Sequence, residues 1–119
     1  MMNITIGGCR DFDDYDIFKK FVGECVKSIN TPEKVIILSG HCSGADEMAE
    51  RFAKECGLAL EIFPADWKKY GKAAGPKRNE EMVEKSDIII AFWDGKSKGT
   101  KNLIDLAKKK DIQIKIYNI

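Results

Sequence analysis

Apolar residues recur along this chain in two rhythms: short continuous runs, and longer stretches spaced three and four apart. Asn3 to Gly8 (NITIGG) reads as a strand running into glycines. DFDDYD follows it, with carboxylates suited to capping a helix start. Phe18, Phe21, Val22, Cys25, Val26 and Ile29 then trace one face of an amphipathic helix, which Asn30, Thr31 and Pro32 should end. Lys34 to Ser39 (KVIILS) is an uninterrupted β-branched run, the mark of a strand covered on both faces. Ala45, Met48, Ala49, Phe52, Ala53 and Cys56 repeat the helical spacing, and Gly57 is placed as a stop. Leu58 to Phe63 reads as a strand, Pro64 to Pro76 as a long loop, and Met82 and Val83 mark a helix that Pro76 can open. Asp87 to Phe92 (DIIIAF) is a second fully apolar strand, Leu103, Leu106 and Ala107 a last helix, and Ile112 to Tyr117 a closing strand. The alternation predicts an α/β fold: a Rossmann-like three-layer sandwich with a five-stranded, mainly parallel sheet.

At 119 residues, with 44% hydrophobic and 33% charged positions, the chain suits one domain over 1–119, folding alone or as a small oligomer such as a homodimer. Twenty Lys and Arg against 19 Asp and Glu leave a net charge of +1, so any attraction for phosphate must be local. No apolar run approaches the roughly 20 residues of a membrane span, and the start lacks a signal-peptide pattern, which predicts a cytoplasmic protein without a membrane partner. Cys9, Cys25, Cys42 and Cys56 form no CxxC pair and His41 is the only histidine, so neither a metal nor a cofactor is expected. The cysteines read as small apolar residues, Cys25 and Cys56 on helical apolar stripes.

In open α/β sheets ligands bind beyond the carboxyl ends of the strands, which selects four loops. GGCRDF (7–12) offers Gly8 and Arg10. SGHCSGAD (39–46) offers Gly40, Ser43, Gly44 and Asp46, where backbone N–H groups at a helix start can hold an anion; a tight turn needing glycine for packing explains it equally well. The segment 64–79 carries Asp66, Trp67, Arg78 and Asn79, a mix suited to base stacking and a forked contact to phosphate, although Trp67 could instead plug the fold. WDGKSKGT (93–100) carries Trp93, Asp94, Gly95, Ser97, Gly99 and Thr100, a second turn able to cradle phosphate. Between Trp67 and Arg78 stand Lys68, Lys69, Lys72 and Lys77 with no acid, a patch that would also suit single-stranded nucleic acid. Gly40-His41-Cys42-Ser43-Gly44 has the form of a cysteine nucleophile elbow, but adjacent side chains on a sharp turn diverge, so His41 is poorly placed as the base.

DWKKYGKAAGPKRNEEM (66–82), with SGHCSGAD before it and FWDGKSKGT after it, resembles the YspA-like, cpYpsA-related branch of the SLOG superfamily over about residues 4–117. Those Rossmann-like domains are related to the DNA-processing protein DprA and to the LOG phosphoribohydrolases. The resemblance implies a pocket for a nucleotide or nucleotide-derived ligand, serving a sensor or a nucleotide-processing enzyme. The LOG turn PGGxGTxxE carries a Glu that takes part in N-glycosidic cleavage; aligned on Gly99-Thr100, that position is Leu103 here. The leading expectation is therefore a binding module for a nucleotide-like small molecule. The alternatives are a nucleotide N-glycosidase using Asp94, or less favourably Asp46, and a single-stranded nucleic-acid binder.

Overall fold

The apolar runs VIILS and IIIAFW flank the first strand and bury its residues 4–7, so the middle of the sheet has no face left for solvent. The computed structural model describes residues 2–29 and 34–119. The chain runs β1 (Met2–Gly8), α1 (Tyr15–Ser28), β2 (Val35–Ser39), α2 (Ala45–Glu55) and β3 (Ala59–Ile62). It continues through α3 (Trp67–Tyr70), a 3-10 turn (Gly71–Ala73), α4 (Ala74–Lys85), β4 (Ile88–Trp93), α5 (Lys98–Lys109) and β5 (Gln113–Asn118). The strand order is β3-β2-β1-β4-β5 and every pairing is parallel, with Ile4 beside Ile37 and Ile88, and Ile6 beside Ile90. The expected α/β sandwich is thus present, with a sheet that is wholly rather than mainly parallel.

Period-two alternation along the strands sorts the core into two layers. Ile4, Ile6, Ile37, Ile88, Ile90 and Phe92 meet Phe18, Val22, Cys25 and Phe52 of α1 and α2. On the other face Leu38 and Ile89 meet Met82, Val83, Leu103 and Ala107 of α4 and α5. Phe92 stacks on Phe12 and Phe18 at centroid distances of 5.1 and 4.9 Å, which seals the first layer at the carboxyl end of the sheet. Across the second layer the buried Ser86 hydroxyl donates to the Met82 carbonyl at 2.6 Å. The Thr5 hydroxyl therefore donates to Ser86, also at 2.6 Å, tying β1 to the end of α4.

Two expectations change. Most of the expected loop is helical from residue 67 on: Asp66 caps α3 by accepting from the Lys69 amide at 3.1 Å, and the chain passes through the 3-10 turn into α4. Lysines and aromatics without an apolar period hid a helix too short to show one. Cys56 is the exposed C-cap of α2, not part of its apolar stripe. α1 ends at Ser28 with Ile29 as its cap, and Asn30, Thr31 and Pro32 lie outside the described residues. No helix among the described residues is long and apolar enough to cross a membrane.

α2 and α5 end in the same way. Gly57 at φ +65° lets the Leu58 and Gly57 amides reach the Ala53 and Lys54 carbonyls, a Schellman cap. α5 repeats it with Asp111 at φ +58°, whose side chain is strained there and places a negative charge at the negative end of the helix. Asp111→Gly should therefore raise the unfolding free energy by about 0.5–1 kcal/mol, and Asp111→Ala should lower it, both read from urea denaturation.

Candidate functional site

The strand order reverses at β1: the chain steps outward through β2 and β3, then returns to β4 on the other side. The loops after β1 and β4 consequently leave in opposite directions and open a crevice. A cavity of about 450 Å³ lies there, a volume in the range of small-molecule sites.

Close backbone approach shapes its walls. A Cβ on Gly8 would stand 2.4 Å from the Phe92 carbonyl oxygen, and one on Gly7 3.1 Å from Leu103. Gly44 (φ +75°) lies so close to the loop after β1 that a Cβ would meet the Cys9 carbonyl at 2.3 Å. That carbonyl also accepts from the first amide of α2, Ala45, at 3.4 Å. The α2 N-terminus expected to hold an anion is thus partly satisfied by the chain itself.

Arg78 and Asp46 converge from opposite layers onto Gly40. Arg78 Nη1 donates to the Gly40 carbonyl at 2.6 Å and approaches Cys42 Sγ at 3.7 Å. Its Nε donates to Asn79 Oδ1 at 3.0 Å. Asn79 in turn donates to the Gly99 carbonyl at 3.3 Å and to Asn102 Oδ1 at 2.9 Å, fixing α4 against the start of α5. Asp46, 7% exposed, accepts from the Cys42 amide at 3.3 Å. A Cβ at Gly40 would fall 2.6 Å from Arg78 Nη1 and 2.9 Å from Asp46 Oδ2, so only glycine lets the two groups face each other. Burial pushes the Asp46 carboxyl up to about 6; the Arg78 cation and the Cys42 amide pull it down by less, and Glu50 adds repulsion.

The turn after β4 is held by its own aspartate. Asp94 accepts from the Lys96 and Ser97 amides, both at 2.8 Å, and these bonds hold its carboxyl below the usual range. Asp94 itself is exposed. Ser97 caps α5 through the Thr100 amide at 3.4 Å, and the Trp93 indole donates to the Ser97 carbonyl at 3.2 Å from behind the turn. The first α5 amides, Lys98 and Gly99, take no intrahelical acceptor.

Of the residues singled out from the sequence, Gly8, Arg10, Asp46, Arg78 and Asn79 line the cavity, and so do Asp94, Ser97, Gly99 and Thr100. Gly40 and Gly44 back the walls. Ser43, Asp66, Trp67, Trp93 and Gly95 do not line it: Ser43 and Gly95 turn to solvent, Asp66 and Trp67 belong to α3, and Trp93 braces the β4 turn. Gly7, Cys9, Asp11 and Lys96 also line it, and stand in loops already marked by their position after strands. Cys42 lines the cavity as well. Met82 and Leu103 form an apolar part of the wall, and nothing in the spacing of helix residues separates them from ordinary core. The elbow geometry is absent, because His41 pairs with Glu50 at 2.9 Å while Cys42 faces Arg78.

Asp46 has a consequence for stability. Between its ordinary value of 3.8 and about 6, the folded chain keeps a proton that the unfolded chain has released. Stability from this group therefore falls as pH rises through that window, and its full cost persists above it. Asp46→Asn should be more stable than the parent by on the order of 2 kcal/mol at pH 8 and indistinguishable from it near pH 4, in urea melts across that range.

Residues 2–70 match the family described as YspA, cpYpsA-related SLOG family. Over 121 aligned residues the chain is 34% identical to the Gene 61 protein of Mycobacterium phage D29, covering 96% of this chain and 94% of that protein. A 40-residue stretch is 42% identical to the SPbeta prophage-derived protein YoqJ of Bacillus subtilis (strain 168), covering 34% of this chain and 23% of that one. A solved structure, described as a predicted subunit of tRNA methyltransferase from Methanocaldococcus jannaschii, aligns with a TM-score of 0.47 at 14% identity, over 98% of this chain and 67% of that one. With the family match across more than half its length and a full-length relative above 30% identity, the chain belongs to the YspA, cpYpsA-related SLOG family.

Proposed function

We propose that the protein binds a nucleotide or nucleotide-derived small molecule in the cavity between β1 and β4, acting as a sensor or binding module. The observation that carries this reading is the charge arrangement at the strand-order reversal. Arg10, Arg78 and Lys96 share the cavity with Asp11, Asp46 and Asp94, beside the apolar side chains of Met82 and Leu103. A simple anion site would not include three carboxylates. A nucleotide uses all three kinds of wall: cations and the α5 amides for phosphate, carboxylates for ribose hydroxyls, and apolar side chains for the base. Arg78 spends Nη1 and Nε on Gly40 and Asn79, which leaves its Nη2 to donate to a ligand.

A panel of nucleotides and ADP-ribose-type compounds should contain one that raises the melting temperature, since a ligand at a hundredfold excess over its Kd adds about 2.7 kcal/mol. Lys96→Ala and Arg78→Ala should each raise the Kd of that ligand by roughly 10- to 100-fold, the loss of one charge-assisted hydrogen bond. An unchanged Kd in both variants would remove the ligand from this cavity.

A second reading, nucleotide N-glycosidase, is favoured by one observation: a buried carboxyl in the cavity with its pKa raised to about 6. Such a group can exchange a proton near neutral pH, or face an oxocarbenium-like centre. Asp46 takes this role in preference to Asp94, whose carboxylate is already committed to two amides in its own turn. Leu103, at the position of the LOG glutamate, lines the cavity but offers no carboxylate. Asp46→Asn should abolish any base release seen by chromatography, and Cys42→Ser should preserve it. No released base from any compound that binds would leave the binding reading alone.

A further inference from the structure

Outside the cavity the most unusual surface is the one made by α3 and the start of α4. Trp67 is 51% exposed and Tyr70 39% exposed, two large aromatic rings left in water on a four-residue helix. Trp67 is not a buried plug: half of it is exposed, and its ring edge reaches Gly75, where an added Cβ would stand 3.4 Å from Cη2. Lysines dominate the charges around the rings. Lys69 Nζ lies 5.1 Å and Lys77 Nζ 4.8 Å from the centre of the Tyr70 ring, and Lys68 and Lys72 neighbour them in sequence. Among the described residues none of these four lysines forms an ion pair, whereas Lys85, Lys101 and Lys110 all do. The acid at the edge of the patch, Asp66, is engaged in capping α3. With a net charge of +1 for the whole chain, this local field has no global origin.

We infer that this surface binds single-stranded nucleic acid, with a base stacked on Trp67 and successive phosphates on the lysines gathered around Tyr70. An exposed aromatic ring beside a cluster of cations supplies the two elements of sequence-tolerant strand binding. Several separated cations suit a chain of phosphates better than one phosphate group, and paired bases in a duplex present no free faces to the rings. The patch also adjoins the cavity, because Arg78 Nη2 lies 3.9 Å from the same point over Gly75 that Trp67 covers. The inference rests on α3 and its lysines and stands apart from the cavity reading.

The test titrates the full chain into a fluorescein-labelled twelve-residue oligothymidylate and into a duplex of equal length, at 50 mM and 200 mM salt. The single strand should bind with quenching of tryptophan fluorescence, and more tightly than the duplex. Trp67→Ala should weaken it by at least about fivefold. The pair Lys69→Ala and Lys77→Ala should flatten the slope of log K against log salt by about 1.4, two phosphate contacts at roughly 0.7 each. Lys20→Ala with Lys108→Ala, on exposed sites of α1 and α5, removes the same charge and should change neither quantity appreciably. Absence of binding at 50 mM salt, equal affinity for the duplex, or binding indifferent to both patch variants would overturn the inference. Because these positions are exposed, melting curves should match the parent's and separate lost binding from lost fold.

Discussion

The hydrogen bond from Arg78 to the Gly40 carbonyl, at 2.6 Å, is the contact on which the carboxyl edge of the sheet depends. It runs from a helix on one face of the sheet to the turn that starts a helix on the other, so it joins the two layers where β-sheet hydrogen bonding has stopped. Through Asn79 the same guanidinium is connected to Gly99 and Asn102, so the position of the α5 start follows from it. A half-buried cation requires partners, and here a carbonyl, an amide oxygen, a thiol and a nearby carboxylate supply them.

That arrangement constrains its neighbours. Gly40 must lack a side chain for Arg78 and Asp46 to face each other, and Gly44 must lack one because the loop after β1 lies directly against it. The cost appears at Asp46, whose ionisation is opposed by burial. Buried, incompletely compensated carboxyls reduce stability, and their concentration in clefts is a physical signature of function rather than of folding. Asp94 contrasts with it: an exposed carboxylate that accepts two amides orders a turn, and those amides are no longer available to a phosphate. Under the proposed reading, an anion at this edge would rest on Arg10, Arg78, Lys96 and the first amides of α5 more than on either glycine turn alone.

The cavity and the α3 surface draw on different chemistry. In the cavity, cations share the walls with carboxylates, and of these groups Asp46 is buried while Arg10, Asp11, Asp94 and Lys96 are exposed. On α3, among the described residues, none of the four lysines forms an ion pair and Trp67 is half exposed, so binding there would be weaker for any one group and more sensitive to salt. Arg78 lies between the two, its Nη1 facing the cavity wall and its Nη2 toward Trp67.

The layers of the fold were legible in the sequence because parallel strands buried on both faces must be continuously apolar, and KVIILS and DIIIAF are. Helical spacing likewise disclosed α1, α2 and α5, whose apolar faces the sheet demands. The glycine turns and the loop after β1 could be located from their place after strands, a rule of topology expressed in one dimension. α3 was not legible: four residues complete barely one turn and bury no stripe, so no period exists to detect. The sequence placed Asp94 ahead of Asp46 on chain position alone. Both follow or adjoin apolar segments, and what separates them is solvent access and the donors each meets, quantities set by chain segments distant in sequence. Arg78 meets Gly40 across 38 residues and Asn79 meets Asn102 across 23. Local pattern determined which elements form. Only their packing decided which charges are buried and which donors are already taken, because desolvation depends on every neighbour in space and on none in particular along the chain.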